Sequence, residues 1–357
     1  LRTDPLFWGV IALSIWGLCA SLVSGLAYQD VIQELKVFMK VPVKGFFIYL
    51  VVTYVCFRQQ NVMMVFLVLA AVGFVACMDI FISYGLGYFD AMNRDAVRML
   101  LHKNVHVNVI SRQLNFLAPF SIIWAWDFGF QHARRNWPLY LAALLVLLAS
   151  FLTISRAGWL GAVGGLFFLF VFTRFRKLLI LFVAASIFIF GLTYTASKDV
   201  RMHVATLKQR LPHLSERLPN WKLCLKAVGQ RPVWGWGVYE KNTFHRMVKA
   251  VDGNDSKILK YPYSHNIFLQ IALLWGVPFL FILLGLFAYI YWKAWVATKQ
   301  VDLSHRLKWG ALVGATVGCF WLNGFFSEIV WPYAFMALAV ASSLKVVKDD
   351  IILSSKI

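Results

Sequence analysis

Acid is scarce in this 357-residue sequence: 16 Asp+Glu stand against 35 Lys+Arg, a net charge of +19. Charge of either sign is thin, at 14%, while 60% of residues are hydrophobic and the mean hydropathy is +0.68. Soluble domains run nearer half apolar and a quarter charged, so this composition excludes a standard water-soluble fold. The five cysteines form no Cys-x-x-Cys pair and no His/Cys cluster. Cys19, Cys56, Cys77 and Cys319 lie in apolar runs and Cys224 alone in a polar segment, which indicates neither a zinc site nor a disulfide framework. Internal repeats, low-complexity tracts and a signal-peptide pattern are missing. The first residue is Leu1 and not Met, so an N-terminal piece is expected ahead of it.

Long apolar runs are abundant. They cover Leu6–Leu26, Val41–Phe57, Val62–Ser83, Leu114–Phe130, Leu139–Ile154, Ala157–Thr173, Leu178–Thr195, Ile267–Trp292, Trp309–Phe326 and Pro332–Leu344. A membrane-crossing helix needs roughly 20 apolar residues, so the runs predict an all-α polytopic membrane protein of about ten transmembrane helices. Basic residues orient them. Arg58, Arg134 and Arg135, then Arg174, Arg176 and Lys177, then His305, Arg306 and Lys308, and finally Lys345 and Lys348 all fall in alternate connections. One cytoplasmic assignment satisfies every one of them, with both chain ends inside.

The remaining connections face the outer side. Residues 1–195 are then an N-terminal membrane region of about seven spans, 196–264 a large outer loop and 265–357 a C-terminal region of about three spans. That loop holds thirteen Lys/Arg against five Asp/Glu, a surplus of eight on the side where inside-positive topology asks for none. An anionic ligand at the outer membrane surface explains such a surplus better than nucleic acid does. Within the loop, Val200–Leu214 reads as an interfacial helix and Trp221–Val228 as helical, and Pro232, Gly235 and Gly237 then turn the chain.

Three pieces carry candidate chemistry. Arg156 interrupts two apolar runs in Ser155-Arg156-Ala157-Gly158 with no counter-ion within several residues. It is either an arginine snorkelling at a helix end or a guanidinium that grips phosphate by two hydrogen bonds. Arg217 precedes Trp221, ahead of Pro232-Val233-Trp234-Gly235-Trp236-Gly237. Those tryptophans form an interfacial belt or stack on sugars, and the Gly-x-Gly lacks the strand context of a nucleotide loop. His265 and Asn266 sit where the large loop re-enters the membrane; the pair is a helix cap or supplies a general base for a sugar hydroxyl.

The order of these pieces resembles the bacterial O-antigen ligase family, whose domain is shared with O-antigen polymerases and some protein O-oligosaccharyltransferases. The resemblance runs from about Arg112 to the C-terminus. The family's motif is His-Asn/Ser/Gln, nine residues, Gly, two residues, then Gly/Thr/Tyr. His265, Asn266 and Gly276 fit it, and Phe279 departs from it. The family's Arg-x-x-x-Leu spacing fits Arg210 to Leu214, and Arg217 fits a broader Arg-x-x-x-Trp form beside the glycines; Arg217 is preferred. Members commonly have about twelve spans, which leaves two for a missing N-terminal piece.

The resemblance implies a metal-independent, cofactor-free membrane glycosyltransferase of the Gram-negative inner membrane, its active site facing the periplasm. It would move O-antigen polysaccharide from undecaprenyl pyrophosphate to a sugar hydroxyl of lipid A–core. No Asp-x-Asp-like pair in an outer loop offers ligands to a divalent cation, which agrees with that chemistry. His265 would be the general base, and Arg156 and Arg217 would bind the pyrophosphate. Arg210, Arg112 and Lys40 stand as further cations, for which a headgroup contact is the competing reading. Asn266 and Gly276 would support the histidine. Glu328 would orient it, pair with an arginine or simply make a turn. Arg94 and Arg98 read as a solvated helix face, and Asp79, inside an apolar run, calls for a partner. Two alternatives stay open: a polymerase or protein O-oligosaccharyltransferase using the same donor, and a transporter of lipid-linked glycan.

Overall fold

The computed structural model describes residues 4–59, 62–85, 107–131, 145, 148–150, 152–153, 155–173, 184, 187–188, 190–196, 198–205, 213–237, 246–251, 264–299, 303–324 and 331–344. Among them the secondary structure is helical throughout, with no strand. They fall into two compact units, each assembled from separated stretches of chain. The first takes residues from Leu1–Val55, Leu211–Ile290 and Gly324–Ser342; the second from Cys56–Arg210, Tyr291–Asn323 and Ser343–Ile357.

The first unit starts with α1 (Pro5–Tyr28), whose ends are written in the sequence. The Asp4 carboxylate accepts from the Leu6 amide at 3.2 Å, and Pro5 at the first helical position loses no bond by lacking an N–H. Gln29, in the left-handed region at φ 58°, ends the helix, and the Asp30 amide returns to the Gly25 carbonyl at 2.9 Å. Leu6, Val10, Leu13, Gly17, Ala20 and Ser24 recur at helical spacing and are buried, while Ile15 and Leu26 on the opposite side are 57% and 70% exposed. A helix apolar on its buried and its exposed face suits lipid, not water.

There follow α2 (Val31–Phe38), a π-helical turn Met39–Val43 holding Pro42, and α3 (Lys44–Gln59). In the second unit α4 (Val62–Gly85), α5 (Val107–Gln131) and α6 (Arg156–Thr173) pack with α10 (Leu303–Thr316) and a π-helical stretch Val317–Asn323. Cys77, Ile80, Ile110, Leu114 and Ala118 form one apolar cluster there with Ala149 and Leu152. α6 and the α10 stretch meet through small residues: a Cβ on Gly318 would stand 2.5 Å from the Gly161 carbonyl oxygen. Such close backbone approach is how helices associate where lipid removes the hydrophobic drive. Further helices are α7 (Lys198–Ala205), α8 (His213–Gln230), α9 (Ile267–Ala297) and α11 (Trp331–Ser343).

Among the described residues, three helices are long and apolar enough to cross a membrane by length and composition: Pro5–Tyr28, Met64–Ile82 and Ile267–Ala297. Lys44–Val55, Ala157–Val171 and Tyr333–Ser343 are shorter apolar helices. Most of the runs expected at 139–154 and 178–195 lies outside the described residues. The helix expected at Trp221–Val228 is longer than its apolar spacing suggested, reaching back through Pro219 to His213. Of the expected interfacial helix Val200–Leu214, residues 200–205 belong to Lys198–Ala205, His213 and Leu214 open α8, and 206–212 lie outside the described residues.

Candidate functional site

The first unit builds its site around the start of α9. The Asn266 side-chain oxygen accepts from the Phe268 and Leu269 amides at 3.0 and 3.1 Å, closing two of the orphan donors of the helix. Ser264 Oγ donates to the Asn266 carbonyl at 2.9 Å, and the Trp221 indole N–H, from α8, donates to the Ser264 carbonyl at 2.8 Å. Between these two anchored residues His265 sits at φ 49°, one of two non-glycine residues with positive φ among those described. The left-handed region costs a histidine energy that the surrounding bonds must repay, and strain of this kind gathers at functional sites. The capping expected of the pair therefore belongs to Asn266, and His265 beside it is half-buried.

Arg217 stands one helical turn before Trp221 on α8, so both project from one face and the guanidinium stem lies about 6 Å from the indole stem. Asn220 between them is buried. Cys224 also points into the protein, packed with Leu223, Ala227, Trp236, Met247, Val248 and Leu273. Burial pushes its thiol up to about 12, so it stays protonated and plays the part of a small apolar residue.

Gly276 gives the expected motif a physical meaning. α9 is not continuous: Gly276, at φ 83° and ψ 169°, breaks it in a conformation reserved for glycine. The break frees carbonyls at Leu273 and Leu274 and an amide at Val277. The turn after α8 takes up all three. Trp236 N donates to Leu273 O at 2.7 Å, Gly237 N to Leu274 O at 3.3 Å, and Val277 N to Pro232 O at 2.7 Å. Trp16 of α1 adds its indole N–H to the Trp275 carbonyl at 3.0 Å. A Cβ on Gly235 would stand 2.6 Å from Leu274 O. The Pro-x-x-Gly-x-Gly sequence is thus a backbone plug for a broken helix, and irregular backbone within an apolar span is tolerable only when filled in this way. Phe279, which departs from the family motif, is buried and stacked on Trp275 with centroids 5.0 Å apart.

This unit also holds an ionic cluster that was not foreseen from the sequence. Glu34 on α2 is wholly buried, and its Oε1 lies 3.9 Å from Arg246 Nη1. Arg246 also pairs with Asp30. The Arg246 and Arg231 guanidinium carbons lie over the Tyr28 ring at 4.4 and 4.8 Å, and Arg231 lies over the Trp236 ring at 4.9 Å. The available signal was the spacing of Asp30 and Glu34, two acids one helical turn apart in an otherwise basic protein.

The second unit positions Arg156 and Arg112. Ser155 caps α6, accepting from the Gly158 amide at 3.0 Å, and Asn115 holds the Gly158 carbonyl at 3.0 Å. Ser111 donates to Ser155 at 3.3 Å and accepts from Asn323 at 3.3 Å. Arg156 is the first residue of α6, where the amide groups and dipole of an 18-residue helix favour anions. Arg112, on α5, is buried at 3% exposure, and Asp79, on α4, at 5%. Lys40 belongs to the π-helical turn after α2. Arg210, Glu328, Arg94 and Arg98 lie outside the described residues. The structure therefore joins His265, Asn266, Arg217 and Gly276 in one unit, and Arg156 and Arg112 in the other.

Residues 141–284 match the model of the O-Antigen ligase family. The match takes in Arg156, Arg210, Arg217, His265, Asn266 and Gly276, but not Lys40, Arg112 or Glu328. Members of that family are membrane glycosyltransferases that handle lipid-linked polysaccharides. No curated protein matches the chain.

Proposed function

We propose that this protein is an O-antigen ligase of the Gram-negative inner membrane, working at the periplasmic face. It transfers O-antigen polysaccharide from undecaprenyl pyrophosphate to a sugar hydroxyl of lipid A–core. The observation that carries the reading is the construction of His265, a strained residue clamped between Ser264 and Asn266 at the mouth of an apolar helix. It stands within the segment that matches the ligase family.

In this reaction the acceptor oxygen attacks the anomeric carbon in line and passes its proton to the His265 imidazole. The bond from that carbon to the pyrophosphate oxygen breaks, its electron pair leaves on undecaprenyl pyrophosphate, and the configuration inverts. Arg156 and Arg217 hold the pyrophosphate by charge-assisted hydrogen bonds, with Arg112, Arg210 and Lys40 as further cations. Donors already in place when charge develops lower the barrier without a metal. Two features support these roles: Arg156 opens a helix whose N-terminus favours anions, and Arg217 shares a helix face with the tryptophan bonded to Ser264. Asn266 caps the helix beside the histidine, Gly276 supports it by letting the turn after α8 dock on that helix, and Glu328 orients it or balances an arginine.

The test is transfer from a defined undecaprenyl-pyrophosphate glycan by purified protein to lipid A–core, to free oligosaccharide and to pilin-type protein, alongside His265→Ala. Product on lipid A–core that vanishes in His265→Ala is expected. Extension of the oligosaccharide instead would make the protein a polymerase, and glycosylated pilin a protein O-oligosaccharyltransferase. Movement of donor across liposomes with no new glycosidic bond would leave only transport.

A further inference from the structure

We propose that Arg231 anchors an anion subsite that takes a carboxylate or phosphate carried by a saccharide substrate, a few sugar rings away from His265. The inference rests on the glycosyl-transfer reading above and names a property of its glycan that the reading leaves open. Arg231 opens the turn that plugs the α9 break, and its backbone is held at both ends, N–H to Ala227 O and C=O from Gly235 N, each at 3.2 Å. Its guanidinium lies over Tyr28 and Trp236, and the Trp236 ring is itself locked by an indole bond to Ala227 O at 2.8 Å. Aromatic faces fix a guanidinium's direction without using its five in-plane donors.

Those donors are not spent on the acids nearby. Asp30 and Glu34 both pair with Arg246. Among the described residues Arg231 has no ion pair and no side-chain hydrogen bond, only the two rings. Its place on the helix sets Arg231 apart from His265. Trp221, bonded beside His265, precedes Arg231 by ten residues, a rise of about 15 Å along the helix. Three residues beyond Arg231 in the same turn, Trp234 is stacked on Trp16 at 4.9 Å yet 36% exposed, an aromatic side chain on which a sugar can lie. A directed cation that shares a turn with a part-exposed indole, away from the proton-transfer residue, suits the reading of a glycan's charge.

The test needs no turnover, so it stands or falls separately from the ligase assay. Full-length protein in neutral detergent is titrated with trigalacturonic acid and with its trimethyl ester, which keeps the skeleton and removes the charge. We expect the acid to bind at least tenfold more tightly. Arg231→Gln should abolish that preference while leaving ester binding unchanged, and Lys226→Gln, an exposed cation on α8, should leave the preference intact. Arg231→Lys should keep part of the preference, which separates a lost contact from a misfolded protein. No preference in the wild type, its survival in Arg231→Gln, or equal loss in Lys226→Gln would overturn the assignment. So would loss of acid binding in phosphatidylglycerol nanodiscs but not in phosphatidylcholine ones, because a lipid headgroup would then own the site.

Discussion

Replacing Gly276 by alanine tests the logic of the broken helix most directly. At φ 83° and ψ 169° alanine is strained by about 1–3 kcal/mol before any neighbour is considered. Its Cβ would also overlap the Val233 carbonyl oxygen and stand 2.5 Å from the Val233 carbonyl carbon. That group is backbone in a docked turn and cannot rotate aside, so the turn must lift. Lifting it breaks at least one of the three bonds from Trp236, Gly237 and Val277, and a buried group left unpaired costs about 1–3 kcal/mol. Together these give a loss of about 4 kcal/mol, close to a thousandfold fall in the docked population. Gly229→Ala is the control: it lies in α8, and a Cβ there meets nothing within 4 Å, so it should be neutral or slightly stabilising. Thermal unfolding in detergent and glycan transfer, measured on both variants, decide the matter. A Gly276→Ala protein with the melting temperature and turnover of Gly229→Ala would refute the account of the plug.

Other substitutions probe single links. Asn266→Ala removes the cap of α9 and should cost about 1 kcal/mol, read as a fall in melting temperature of a few degrees, with Asn266→Asp close to wild type. Arg156→Lys keeps the charge but not the two-pronged geometry, so a severe loss of kcat/KM is expected in the transfer assay; near-normal turnover would remove the clamp role. Treatment with EDTA should leave transfer intact, and activity lost to EDTA and restored by a divalent ion would end the metal-free mechanism.

How much of this was legible beforehand depended on the kind of signal. The apolar runs announced the helices because hydropathy is local, and α4, α6 and α9 begin within a residue of where their runs begin. α5 begins seven residues ahead of its run, since Val107–Gln113 mixes polar residues that only packing makes helical. Arg217, His265 and Gly276 were visible as a spaced pattern, but the reason for the spacing was not. That reason is a match between carbonyls freed at one place and amides presented from another, and neither leaves a mark on composition. The Asp30–Glu34–Arg246 cluster was hidden more completely, because Arg246 stands over two hundred positions from the acids it meets.

The first unit's dispersal along the chain bears on how the protein is made. Tyr49 on α3 bonds Ser342 on α11 at 2.8 Å across 293 positions. Translation at about 5–20 residues per second separates their emergence by roughly 15 to 60 s. For that interval α1 and α3 wait without the partners that complete them, and the Trp16 indole waits for the Trp275 carbonyl. A chain whose synthesis stops before α11 therefore has an α3 that lacks this closing contact, although His265 has already been synthesised. Assembly of this unit waits for α11, which makes that helix a checkpoint between an inserted polypeptide and a packed one.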